Sequence, residues 1–192
     1  MNKQQLLGSV LLLIGLLPVL SFLLFLKPHY IVWFSNHTFI ILGLAVLFGS
    51  RFWVFAELCI GFIPELIWSI DFLMRLFTGE YLFGITTYMF TDAGTFNWIH
   101  LYSLQHILFL PLGLYALYIL GGPIKQAWIG SGIHYFTLYP LSFFWGTEYN
   151  LNCLFYSCGV LSFLPEYQLT WPLLMAIHLF LIYWFLLAVW KK

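Results

Sequence analysis

Of the chain's seven basic and seven acidic residues, Glu57, Glu65, Asp71 and Arg75 all lie inside one hydrophobic stretch, Phe52 to Phe77. An ionisable side chain at the centre of a bilayer costs roughly 2.5–3.5 kcal/mol on insertion scales, so such groups face a bundle interior or cavity and find partners there. At about 100° per residue, Glu57, Pro64, Trp68, Asp71 and Arg75 fall within about 60° of one another, and Glu65 lies about 80° from Glu57. One helix therefore carries a polar stripe. Its chemistry can be a proton or ion relay through the carboxylates, or general acid–base work beside a histidine. Asp71 and Arg75, four residues apart, can also form a salt bridge. Glu65 is too deep to snorkel; a histidine partner would hold it ionised, and otherwise burial keeps it neutral.

The histidines extend this set. His37, His106 and His178 are each expected about 10–12 Å below one membrane surface, at nearly the level of Asp71. Such a layer could hold a divalent metal on His37, His106 and His178, or pair a general base with an orienting carboxylate. Each histidine could equally make a single helix-to-helix hydrogen bond. His134 falls nearer the opposite surface. Tyr102, Ser103 and His106 share a helix face, so Ser103 is a candidate hydroxyl nucleophile, and Thr38 is a second. No His-x-x-x-His, Cys-x-x-Cys or Gly-x-Ser-x-Gly pattern accompanies them. Asn36-His37-Thr38 matches a glycosylation sequon, but inside a span it reads as unmodified.

The elements that must position these residues are membrane helices. The chain has 192 residues, of which 62% are hydrophobic, 22% aromatic and only 7% charged. That composition lies outside the range of soluble domains, and unbroken apolar runs such as Leu6 to Leu26 exclude the alternation of a membrane β-barrel. A formal net charge of zero without a basic cluster argues against nucleic acid as a partner. The pattern predicts an all-α, polytopic bundle of six spans in a single transmembrane domain, 1–192: about 6–26, 30–49, 52–77, 99–120, 127–145 and 171–190. The first run is too long for a signal-peptide core and reads as an uncleaved span. Lys27-Pro28, Gly49-Ser50-Arg51 and Gly121-Gly122-Pro123 break the helices, and no internal repeat is evident.

Both termini are expected in the cytoplasm, with Lys3, Arg51, Lys125, Lys191 and Lys192 inside and Lys27 and Arg75 outside. The connections 78–98 and 146–170 then face outward, as at a bacterial inner membrane. Cys153 and Cys158 lie in the second of them, either bridged or as two thiols; spacing leaves both open. The aromatic–polar run Trp145 to Asn152 reads as an interfacial belt or as a lid over an outward-opening pocket. Pro64, Pro111 and Pro140 kink their helices.

Two resemblances bear on function. Glu65-Leu66-Ile67-Trp68-Ser69-Ile70-Asp71-Phe72-Leu73, Ser103-Leu104-Gln105-His106-Ile107-Leu108-Phe109-Leu110-Pro111 and Asn150-x-Asn152 resemble a family of uncharacterised bacterial integral membrane proteins, which implies a membrane protein and no particular activity. Where its members tend to have Thr-Asp-Pro before the Asn-x-Asn, this chain has Gly146-Thr147-Glu148-Tyr149. Thr38-Phe39-Ile40 running to Ala45-Val46-Leu47-Phe48-Gly49, together with His106 and Pro111, is similar to the two catalytic segments of the androgen-induced lipid hydrolases. Those multi-pass enzymes cleave fatty acid esters of hydroxy fatty acids; the likeness implies Thr38 as nucleophile and His106 as base. The leading expectation is thus a membrane protein acting on a lipid or lipophilic small molecule, most concretely an intramembrane ester hydrolase using Thr38 or Ser103, His106, and Asp71 or Glu65. A proton, ion or solute carrier built on Glu57, Glu65 and Asp71 is the alternative, and a structural subunit whose stripe pairs with a partner helix is the third. No cofactor is indicated.

Overall fold

The computed structural model describes residues 2–25, 27–91, 93–158 and 166–190. Six α-helices form among them: α1 (Lys3–Leu24), α2 (Phe34–Leu47), α3 (Arg51–Thr78), α4 (Gln105–Ile119), α5 (Ala127–Phe144) and α6 (Tyr167–Val189). The described residues contain no strand, only an isolated bridge between Phe90 and Phe96. Helix α1 opens on a reciprocal cap, Asn2 Oδ1 accepting from the Gln5 amide and Gln5 Oε1 from the Asn2 amide. Helix α3 stops at Gly79, whose φ of +81° is the left-handed conformation that glycine adopts at least cost.

Successive helices alternate in direction. At one end Gln4 Nε2 donates to the Val46 carbonyl, Tyr183 Oη donates to the Lys125 carbonyl, and Gly122 packs against the Trp190 indole. The described ends of the chain, near Lys3 and Trp190, therefore share that end with Arg51 and Lys125. Gly8 and Gly15 lie on the α1 face that meets α2; a Cβ at Gly15 would sit 2.5 Å from the Ile40 amide, and one at Gly43 equally close to the Leu12 amide. These glycines let the two backbones approach as a side chain would not.

Helices α2 and α3 form the centre. Most of α2 is buried, and α3 packs on α2, α4, α5 and α6. Outward-facing Leu13, Phe136, Leu169 and Phe180 are each more than 60% exposed. Apolar surface on that scale belongs in lipid. Four helical segments are long and apolar enough to cross a bilayer: Lys3–Leu24, Arg51–Thr78, His100–Ile119 and Tyr167–Val189. The protein is an all-helical integral membrane protein.

The predicted span 30–49 requires correction. Pro28–Val32 is a 3₁₀ turn, the chain breaks at Trp33, and α2 has 14 residues, a length of about 21 Å against about 30 Å of hydrocarbon. Helix α5 has 18 residues, but Ser131, His134, Thr137 and Ser142 keep it below the hydropathy of the other four. The fourth span, expected to begin as α-helix at 99, instead opens in a 3₁₀ segment, Trp98–Leu104, that is interrupted at His100. The non-helical backbone before α2 has its polar groups satisfied from elsewhere in the chain, the condition under which such backbone is tolerated at membrane depth. Asn36 Nδ2 donates to the Tyr30 carbonyl (2.7 Å), and Asn152 Nδ2 donates to the Val32 carbonyl (2.9 Å) while its Oδ1 accepts from the Phe34 amide (2.8 Å).

Candidate functional site

The α3 stripe faces protein. Glu57 and Asp71 are fully buried, Glu65 and Trp68 nearly so, and Arg75 is half-buried. Its members have three different jobs. Asp71 anchors the loop after α3: its Oδ1 accepts from the amides of Phe83 (2.6 Å) and Gly84 (3.1 Å), and its Oδ2 from the amide (2.9 Å) and hydroxyl (2.8 Å) of Thr86. The expected Asp71–Arg75 salt bridge is not formed. Four donors already occupy the carboxylate, and the Arg75 guanidinium donates to the Gly79 carbonyl and lies over the Tyr81 and Phe90 rings.

Glu57 anchors the deepest cluster. Its Oε2 accepts from the Thr38 hydroxyl at 2.7 Å, and its Oε1 lies 2.7 Å from His134 Nδ1. His134 Nε2 meets His37 Nε2 at 2.8 Å, and His37 Nδ1 reaches the Ile31 carbonyl at 2.9 Å. The proton positions follow from the partners. A carbonyl only accepts, so His37 Nδ1 carries hydrogen; neutral His37 then offers a bare Nε2, which accepts from His134 Nε2–H. The ring centroids are 5.0 Å apart, so the two imidazoles meet end-on, as that bond requires. One further proton lies between His134 Nδ1 and Glu57 Oε1. The result is a continuous chain across α2, α5 and α3 with Thr38 and Glu57 fully buried.

Glu65 pairs with His106 at the next level, Oε2 to Nδ1 at 2.5 Å. The Trp68 indole stacks on that imidazole (centroids 4.3 Å, 17°) and donates Nε1–H to Tyr88 Oη at 3.0 Å. Of the two outcomes open to Glu65 from its depth, a histidine partner or burial as a neutral group, the structure has the histidine partner. His178 does something else: its Nε2 donates to the Ile60 carbonyl at 3.0 Å. Ile60 lies four residues before Pro64, which has no N–H, so the imidazole supplies the donor that the helix lacks there.

His37, Asp71, His106 and His178 therefore do not converge; each belongs to a separate contact. Among the described residues no group of three or more His, Cys, Asp or Glu side chains is placed to hold a metal ion. Thr38 and His106 are not a nucleophile–base pair either. Their carboxylate partners, Glu57 and Glu65, are eight residues and so about 12 Å apart on α3. The Phe34 and Phe109 rings fill the level between, packed against Gly61. Ser103 is buried against Tyr88 and Tyr102 rather than bonded to His106. Two surface grooves, one lined by Tyr139, Pro140, Phe143 and Phe144 and the other by Ile41, Leu44, Ala45, Phe48, Ser50 and Trp53, are apolar and touch neither carboxylate–histidine pair.

Cys153 and Cys158 are bridged, and Asn150 organises their loop, its Oδ1 accepting from the amides of Phe155 and Tyr156. Asn152 joins that loop to α5 through Ser142 and to α6 through Trp171 Nε1, which donates to its carbonyl. The run Trp145 to Asn152 is thus a brace for the break before α2. No family model, curated protein or solved structure matches the chain.

Proposed function

We propose that this integral membrane protein is a proton-coupled carrier whose proton-binding element is the chain Thr38–Glu57–His134–His37. The observation that carries the reading is the end-on contact of two imidazoles, 2.8 Å apart, with a carboxylate on the far side of one of them. A structural hydrogen bond between helices needs one donor and one acceptor. Here a proton can shift between Glu57 and His134, and from His134 to His37, along contacts of 2.7 and 2.8 Å without a heavy atom leaving its place. Such a relay serves a protein that takes up a proton on one side and releases it on the other. The intramembrane hydrolase is less well supported. Thr38 gives its hydrogen bond to a carboxylate, and an aromatic layer separates it from His106. The same reading places both termini in the cytoplasm and the bridged loop outside.

The test is proton flux into proteoliposomes carrying an entrapped pH dye, driven by a potassium diffusion potential. Glu57→Gln and His134→Gln should each lower the flux at least tenfold, with the fold retained by circular dichroism. Flux equal to that of the unaltered protein in both variants refutes the reading.

A further inference from the structure

The second carboxylate–histidine pair differs from the first in what it leaves open. In the Thr38–Glu57–His134–His37 chain every nitrogen of both imidazoles is engaged. In the Glu65–His106 pair Nδ1 alone is engaged; Nε2 has no hydrogen-bond partner among the described residues, and it is not among the buried polar atoms left without one. The His106 side chain is 14% exposed, against 7% for His134.

Its position explains the opening. Helix α3 has 28 residues and is about 42 Å long, about 12 Å more than the hydrocarbon is thick. The loop after it folds back, tied down by Asp71, and lays Met89 against Trp68 and Phe72. His106, the second residue of α4, lies at the lower edge of this outer layer with Trp68 over one ring face. The titratable groups around the pair are Glu65 and Asp71 from α3, Tyr88 from the loop, and Tyr102 from the 3₁₀ segment before α4. Asp71 is saturated by four donors, and Tyr88 Oη is occupied by Trp68.

We infer that Glu65–His106 is a second proton-binding site, the outer port that receives protons before they reach the deeper chain. This rests on the proton-carrier reading above. A proton from the outer aqueous phase forms an N–H bond at His106 Nε2, and the Nδ1–H proton passes to Glu65 Oε2 across 2.5 Å. The imidazole returns to neutrality and the carboxylate gains the proton, so the charge entering equals the charge passed on. From Glu65 the next acceptor is Glu57, about 12 Å along α3. Between them Phe34 and Phe109 pack on Gly61, where a Cβ would lie 2.5 Å from Phe109 Cζ and 2.8 Å from Phe34 Cε1. Beside that layer the buried Gln105, next to His106, donates Nε2–H to Asn36 Oδ1 at 3.2 Å, next to His37, so the link between the two levels is an amide pair that holds no titratable proton, and the outer site loads separately from the inner one. Phe34 also lies 5.5 Å from the His134 ring and 6.3 Å from His37, which places the barrier in contact with the receiving imidazoles.

The experiment uses the full chain in vesicles with the bridged loop outward. Diethyl pyrocarbonate, which modifies accessible neutral imidazole nitrogens, is added outside and the modified histidines are identified by peptide mass spectrometry. Alongside, dye-reported inward proton flux is measured for Glu65→Gln, His106→Gln and Glu57→Gln. Modification of His106, with His37 and His134 spared, and at least a tenfold fall in flux for all three variants is the expected result. An unmodified His106 beside a modified His29 overturns the port, and that measurement needs no variant to fold. Flux lost in Glu57→Gln but kept in Glu65→Gln and His106→Gln overturns the second site and leaves the deeper chain as the carrier's element. Flux unchanged in all three overturns both.

Discussion

Replacing His178 by Leu tests the clearest local rule in this bundle, that a proline inside a membrane helix needs a donor from elsewhere. The Ile60 carbonyl would normally accept from the residue four positions on, which is Pro64, and it accepts from His178 Nε2 at 3.0 Å instead. Ile60 is 3% exposed, so no water replaces a lost donor. Leaving one buried acceptor unsatisfied costs about 1–3 kcal/mol, roughly a 5- to 150-fold change in the folded-to-unfolded ratio. Pro64→Ala restores the helical N–H and makes the imidazole redundant. In that background His178→Leu should lose most of its cost, giving a coupling energy of about 1–2 kcal/mol in a double-mutant cycle. Reversible unfolding in mixed lipid–detergent micelles, followed by helical circular dichroism, supplies the four stabilities. Additivity to within about 0.5 kcal/mol would refute the pairing of His178 with the proline-vacated carbonyl.

Three other outcomes are expected. Gly15→Val should push α1 off α2, because even a Cβ there lies 2.5 Å from the Ile40 amide; overpacking of this kind costs about 1–3 kcal/mol and should appear in the same unfolding assay. Asp71→Ala strips the acceptor from three amides and a hydroxyl of the loop, so protease added to the face that carries this loop should cut within 80–97 at least several-fold faster, whereas α1 peptides stay protected. With Cys153 and Cys158 bridged and Cys59 buried, maleimide should label no cysteine in the folded protein, one after denaturation, and three after denaturation with reduction. Three labels after denaturation without reduction would show the bridge to be absent.

Much of this was legible in the residues. The carboxylate stripe of α3 follows from its spacing and faces protein, and Glu65 has a histidine beside it, one of the two outcomes its depth left open. The clusters themselves were less legible, because depth says which groups share a level and not which way a helix is turned. His106 and His178, placed at one level, reach different α3 groups from different sides: a carboxylate for one, a proline-vacated carbonyl for the other. The sequence puts His134 nearer the opposite surface, apart from the other three histidines. Counted from the opposite end, it is seven residues into α5, as Glu57 is six into α3, and that count would have paired them. In the sequence Asn36 stands in a silent sequon and Asn152 in a surface loop. Their work depends on the break at Trp33, which an apolar stretch from Tyr30 to Gly49 with no Gly or Pro before Gly43 does not announce.

The short α2 also imposes an order on how the protein can be made. A translocating chain presents α2 to the membrane when its preceding turn still has the Val32 carbonyl and the Phe34 amide unpaired, and the side chain that satisfies both is Asn152, 118 residues after Phe34. Helix α2 is too short to settle alone across the hydrocarbon, and it also carries His37 and Thr38 into the core. Its final seating must therefore wait until α3, α4 and α5 have been made and the loop with Cys153 and Cys158 has folded back against it. Assembly of the Thr38–Glu57–His134–His37 chain is thus a late event of biogenesis rather than an early one. A half-made molecule cannot hold the chain of histidines and glutamate that the finished one does.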